Sequence, residues 1–161
     1  MKYLRNSLLP GLLSAVSFNE KRGQSYFKLF EIGRVHSLFK AYNKEQDNIG
    51  FIWYGINKDH WKNKFEMDFY YAKGEILSLL NQLKVESITF KVEESKFSSL
   101  NINIYSKKVC IGFLRGLNSD LKDKYNIKGP IFISEIFLDK LNQNIITDFS
   151  YKKISTFPSL E

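Results

Sequence analysis

The chain has 161 residues, 43% hydrophobic, 16% aromatic and 25% charged, enough for one core of ordinary size and too short for several domains. No apolar run approaches the roughly 20 residues that cross a bilayer, and LLPGLLSAV contains Pro10 and Gly11 and is followed by Glu20, Lys21 and Arg22, which argues against a signal peptide or membrane segment. A net charge of +7 suits a nucleic-acid partner, but the lysines are scattered in small groups; the single Cys110, in the apolar run VCIGFL, excludes an internal disulfide and reads as a buried, inert thiol in a reducing cytoplasm.

Taken in order, the first element is a helix starting near Ser7, which can cap its N-terminus. Pro10 falls in the first turn, where proline is tolerated, and Leu9, Leu12, Leu13 and Val16 share one face. Gly23 is placed to end it, and the aromatic and aliphatic run that follows predicts a strand. Glu31 and Arg34 are the only charges between Leu29 and Val35, so each belongs at a strand end, at a wet edge or in a buried pair. Ala41 to Asn48 reads as a polar loop and Ile49 to Ile56 as a central strand. Asn57 to Glu66 reads as a loop pinned by Trp61 and Phe65, and His60 there is a solvated histidine rather than a metal ligand.

Asp68 caps a second helix running to about Lys84, with Phe69, Ala72, Ile76, Leu80 and Leu83 along its apolar stripe. Gly74 inside it, next to Lys73, calls for a packing reason, because glycine in a helix interior costs about 1 kcal/mol relative to alanine. Ile88 to Glu94 predicts a strand. Leu100 to Tyr105 alternates so regularly that one face should be wet, and it turns at Ser106 to Lys108 into a partner strand, Val109 to Leu114. A short helix over Ser119 to Tyr125 takes Ser119 as its cap, Leu121 and Tyr125 as its apolar contacts and Gly129-Pro130 as its breaker. Ile131 to Leu141 is a last strand ending in a helical turn. The fold expected is α+β, a mostly antiparallel sheet flanked by helices.

The run LRNSLLPGLL, with Leu4, Arg5, Ser7, Pro10 and Gly11, followed some twenty residues later by LFEIGRV, with Glu31, Gly33 and Arg34, closely resembles the β subunit of bacterial phenylalanyl-tRNA synthetase. DFYYAKGEILSLL, with Asp68, Lys73 and Gly74, is similar to the family's Lys-Gly segment, and Phe132 to Ile136 resembles its Phe-x-x-Glu-Leu pattern around Glu135. The chain departs from the family at SKFSSL, where a His-Pro-Gly-Arg-Ser-Ala run is usual, and at Leu117-Asn118, where His-Pro is usual.

The resemblance implies a class II synthetase-like, non-catalytic module over residues 1–148. Residues 149–161 then form a linker toward a ferredoxin-like domain that contacts the anticodon stem. It further implies a cytoplasmic (αβ)₂ enzyme whose α subunit binds Phe, ATP and Mg²⁺ and charges tRNA(Phe), with this module holding α in place and binding no cofactor or metal itself. Arg34 stands near the first of the two arginine positions that clamp ATP in class II enzymes, but no Glu-Arg pair opens a helix to supply the second. There is also no phosphate loop, dinucleotide fingerprint or Ser-His-Asp set. A free-standing ATP-dependent enzyme of the same fold and a tRNA-binding module are the alternatives. The structural or interface candidates are the motif residues Leu4, Arg5, Ser7, Pro10, Gly11, Glu31, Gly33, Arg34, Asp68, Lys73, Gly74 and Glu135. The long helix and strand expected to precede the segment are not in it, so an exposed apolar surface and self-association are also expected.

Overall fold

The computed structural model describes residues 4–39, 42–57, 65–93 and 98–145. In chain order the elements are helix α1 (Leu9–Lys21), strands β1 (Tyr26–Phe39), β2 (Tyr42–Asn57) and β3 (Phe65–Glu66), helix α2 (Phe69–Gln82), strands β4 (Ile88–Val92), β5 (Ser98–Ser106) and β6 (Val109–Leu117), helix α3 (Ser119–Tyr125), strand β7 (Ile131–Phe137) and helix α4 (Leu138–Asn142). The strands form one sheet in the order β1-β2-β7-β6-β5-β4, with β3 paired beside β2, and every pairing is antiparallel. The expected α+β architecture with a mostly antiparallel sheet is the one observed. Trp61, His60 and the 149–161 segment lie outside the described residues.

Both faces of the sheet are covered, and the strand period of two divides the core accordingly. On one face Ile52, Tyr54, Ile131 and Ile133 pack under α1 through Leu8, Leu9, Leu12, Leu13 and Val16, joined by Leu121 and Tyr125 of α3. On the other, Trp53, Ile104, Leu114 and Ile136 pack under Ala72, Ile76 and Leu80 of α2 and Leu141 of α4. The β5–β6 ladder shifts between Ile104 and Tyr105, which leaves Ile111 as an extra residue that turns inward to full burial.

Several local expectations are corrected. Residues 42–48 are not a loop: they pair with β1 from Phe39↔Tyr42 to Gly33↔Asn48, and Arg34 bonds to Glu45 and Asp47 across the ladder. A hairpin arm with charges facing water can be polar and still be a strand, because cross-strand ion pairs replace core contacts. Residues Phe65–Glu66 likewise form a short strand rather than loop. Helix α1 starts at Leu9, two residues after the expected position, and α2 stops at Gln82, with Leu83 at its C-cap and Lys84 at φ 55°.

The cap of α3 is Asn118, whose side chain accepts from Leu121 N–H at 3.1 Å, and not Ser119. Its end is set by Asn126 in the left-handed region at φ 55°, before Gly129-Pro130 is reached. Gly129 serves packing instead, since a Cβ there would lie 2.7 Å from the buried Tyr54 ring. Cys110 is half-buried rather than buried. The polar side of β5 is not uniformly wet, since Asn101 is buried and accepts from Arg115 Nε at 2.7 Å. Gly74 has no packing reason among the described residues, because a Cβ there would meet nothing within 4 Å.

Candidate functional site

The sequence-predicted residues fall into three groups. The first surrounds the N-terminus of α1. Glu135, on the inner strand β7 and only 2% exposed, points at the start of this helix. Its Oε1 accepts from Leu8 N–H at 3.3 Å and from Asn48 Nδ2 at 2.8 Å, and its Oε2 accepts from Ser7 Oγ at 2.7 Å. The Ser7 hydroxyl in turn accepts from Leu9 N–H at 3.1 Å. Ser7 therefore helps to satisfy the helix end from one position further back than an N-cap, with no side-chain bond from the N-cap residue, Leu8. A buried carboxylate takes over that duty, favoured by the partial positive charge at a helix N-terminus.

Glycines allow α1 to settle so close. A Cβ at Gly50 would fall 2.8 Å from Leu12 Cδ1, and one at Gly33 would meet the Arg5 guanidinium and, at 3.3 Å, Leu8 Cδ2. Arg5 lies along the sheet edge: Nη1 meets Glu31 Oε1 at 2.5 Å, Nε donates to Arg34 O at 2.9 Å, and its carbonyl accepts from His36 N–H at 2.8 Å. Pro10 occupies the first turn of the helix, a Cβ at Gly11 would make only ordinary contact with Glu31, and Leu4 is exposed.

Arg34 forms the second group, on the outer arm of the hairpin. Its guanidinium bonds to Glu45 at 2.9 Å and Asp47 at 3.3 Å, and the Asp47 bond is the main cause holding its pKa above the ordinary arginine value. Asp68, Lys73 and Gly74 make the third, on α2 across the sheet from α1. Asp68 accepts from Tyr71 N–H at 2.6 Å as the expected cap, and the Lys73 ammonium stands 4.7 Å over the Phe90 ring. The structure thus joins Arg5, Ser7, Glu31, Gly33 and Glu135 around the first turn of α1, with Arg34 meeting Arg5 only through its backbone carbonyl, and keeps Asp68, Lys73 and Gly74 apart from them.

Sequence reasoning missed Asn48, taken for the end of a loop, and a network on the α2 face. There Lys28 Nζ donates to Glu75 Oε1 at 2.6 Å and Tyr71 Oη at 2.9 Å, and Trp53 Nε1 donates to Glu75 Oε2 at 2.8 Å. Burial pushes the Glu75 carboxyl up, but the bonds from Lys28, Trp53 and Tyr71 outweigh it and bring the pKa below the usual value. The Glu75 and Tyr71 bonds raise Lys28 in turn. The one available signal was Trp53, whose buried indole N–H needs an acceptor. Among the described residues no group of three or more His, Cys, Asp or Glu side chains is arranged to hold a metal ion, and no helix is long and apolar enough to cross a membrane.

Residues 1–138 match the family described as the phenylalanyl tRNA synthetase beta chain CLM domain. The chain belongs to this family. It is 27% identical to the phenylalanine–tRNA ligase beta subunit of Ehrlichia canis over 96% of its own length and 20% of that protein, and 31% identical to that of Carboxydothermus hydrogenoformans over 98% and 20%. With the Coxiella burnetii beta subunit the figures are 28% identity over 99% and 21%. The chain therefore spans about a fifth of the length of these relatives. A pyrrolysyl-tRNA synthetase structure from Desulfitobacterium hafniense superposes with a TM-score of 0.68 at 14% identity, covering 86% of this chain and 48% of that one, a likeness of fold alone.

Proposed function

We propose that the chain is a class II synthetase-type, non-catalytic scaffold module of a phenylalanine–tRNA ligase. It packs in the cytoplasm against a catalytic α subunit of an (αβ)₂ enzyme that uses ATP and Mg²⁺ to charge tRNA(Phe). The observation that carries this reading is what the charged groups of the matched segments are doing. Arg34, near the position of an ATP-clamping arginine, is engaged by Glu45 and Asp47, Arg5 by Glu31, and the Glu135 carboxylate by the first turn of α1. Catalysis of acyl-phosphate chemistry needs cations aimed at a substrate; here they are aimed at the protein's own strands. The family match supports the assignment to the β chain, and the covered sheet faces support a supporting rather than a substrate-holding role.

Co-expression with the cognate α subunit tests it: the two should co-purify as a stoichiometric complex that withstands gel filtration. Failure of α to associate, under conditions where both chains are folded by circular dichroism, would sink the scaffold reading.

A further inference from the structure

Strand β6 carries Phe113 and Arg115 two residues apart, so both side chains stand on the sheet face that α1 covers. The register sets Arg115 between Asn101 of β5 and Ile133 of β7. There it lines a cleft of about 220 Å³ between α1, α3 and the sheet, whose walls include Leu9, Leu13, Leu121, Tyr125 and Ile133. Arg115 is the one charged side chain on this cleft.

The guanidinium is held on two sides. Its central carbon lies 4.0 Å from the centre of the Phe113 ring, and its Nε donates to the buried Asn101 side chain at 2.7 Å. Among the described residues no acceptor meets Nη1 or Nη2, and neither atom is sealed from solvent. Glu135, on the same face, does not serve them, because its oxygens accept from Ser7, Leu8 and Asn48. Burial is the main cause that lowers the Arg115 pKa, and it outweighs the attraction of Glu93 and Glu135. A fixed cation thus borders an apolar cleft with the outer end of its fork unused.

We propose that this cleft binds a small apolar carboxylic acid, its carboxylate on the Nη1 and Nη2 end of Arg115 and its apolar body among Leu9, Leu13, Leu121 and Tyr125. The class of ligand follows from charge, shape and size. A planar guanidinium pairs with both oxygens of a carboxylate, and pre-set orientation reduces what ordering costs on binding. An apolar cavity of about 150 Å³ holds benzene, so the cleft has room for one ring on a short arm and for little more. The acid carries no ammonium group, since no carboxylate lines the cleft and an amino acid would bury its positive charge without a partner. The site does not depend on the proposed scaffold role.

Titration of the 161-residue chain with 3-phenylpropionate, followed by calorimetry and by amide shifts in nuclear magnetic resonance, is the test. A dissociation constant below about 1 mM is expected, in keeping with so small a ligand. The shifts should centre on Leu117, Leu121 and Tyr125. The neutral 3-phenylpropionamide, phenylalanine and acetate should each bind at least about tenfold more weakly, the first for want of charge, the second for its ammonium and the third for want of a ring. Arg115→Gln should weaken 3-phenylpropionate by at least about tenfold, with circular dichroism checking that the variant folds. If it does not fold, the comparison of ligands on the unaltered chain decides. No binding of 3-phenylpropionate at millimolar concentration, equal binding of the amide, phenylalanine or acetate, shifts centred elsewhere, or a folded Arg115→Gln chain that binds as well would each overturn the proposal.

Discussion

Glu135 is the side chain on which the joined cluster depends. It is almost fully buried and accepts from three donors in two segments, Ser7 and Leu8 at the start of α1 and Asn48 of β2, so deleting it strands the Leu8 N–H and the Asn48 amide away from water. Glu135→Ala should lower unfolding free energy by about 3 kcal/mol, measured by urea denaturation. A loss below about 1 kcal/mol would show that water replaces the carboxylate at little cost. Glu75 makes a milder, pH-dependent prediction. Its folded pKa lies below the ordinary 4.5 of a glutamate, so its contribution is present above the unfolded pKa and disappears as pH falls through the folded one. Glu75→Gln should therefore cost under about 1 kcal/mol at neutral pH, the pair with Lys28 being more than a third exposed, and wild type and variant should converge in acid well below pH 4.5. Parallel denaturation curves across that range, with no convergence, would contradict the assigned cause. These residues were unequally legible. Glu135 could be picked out by its place in a family-like pattern, but its donors come from positions up to 128 residues away, and no local spacing encodes such a meeting.

At the scale of elements, what could be read was whatever rests on periodicity or on a single cap. The α1 stripe, the Asp68 cap and the β5–β6 hairpin follow from the order of side chains alone. The polar half of β2 could not be read that way, because its strand character comes from pairing with β1 and its side chains look like those of a loop. Asn118 was overlooked as a cap because Ser119 beside it is an equally good candidate, and the backbone decides between them. Gly74 is the residue whose expected packing contact is absent among the described residues. With open space at its Cβ position and a helical backbone, Gly74→Ala should stabilise the isolated chain by about 0.5–1 kcal/mol, read as a rise in thermal midpoint. A fall instead would mean that α2 has a backbone approach at Gly74 which the monomer does not reveal, and repeating the measurement with the α subunit present would locate it.

For the whole molecule, the question is whether a sheet with these charges could run the chemistry of the enzymes whose fold it shares. Adenylate formation needs cations on the triphosphate that are free to follow charge as it develops. In this chain Arg34 is held between two carboxylates on a hairpin arm, while Arg5 is bound to Glu31 and to the strand edge. The half-buried Arg115 lies over the Phe113 ring with its Nε on Asn101, and burial depresses its pKa. These guanidiniums do not converge on one cavity: Arg115 lines a small apolar cleft with Leu9, Leu13, Leu121 and Tyr125, while Arg34 sits on the outer hairpin. The isolated chain should therefore catalyse no phenylalanine-dependent exchange of pyrophosphate into ATP above a no-protein control. Freeing Arg34 by Glu45→Gln and Asp47→Asn should not create any, since release of one cation supplies neither a second clamp nor a site between them. Adding the cognate α subunit should bring exchange to the mixture, and in that complex Arg34→Ala should leave the rate within about twofold, a change under ~0.5 kcal/mol in the barrier. A loss of a hundredfold or more on Arg34→Ala, with the complex intact by gel filtration, would place this side chain in the catalytic machinery and overturn the reading of the chain as a scaffold.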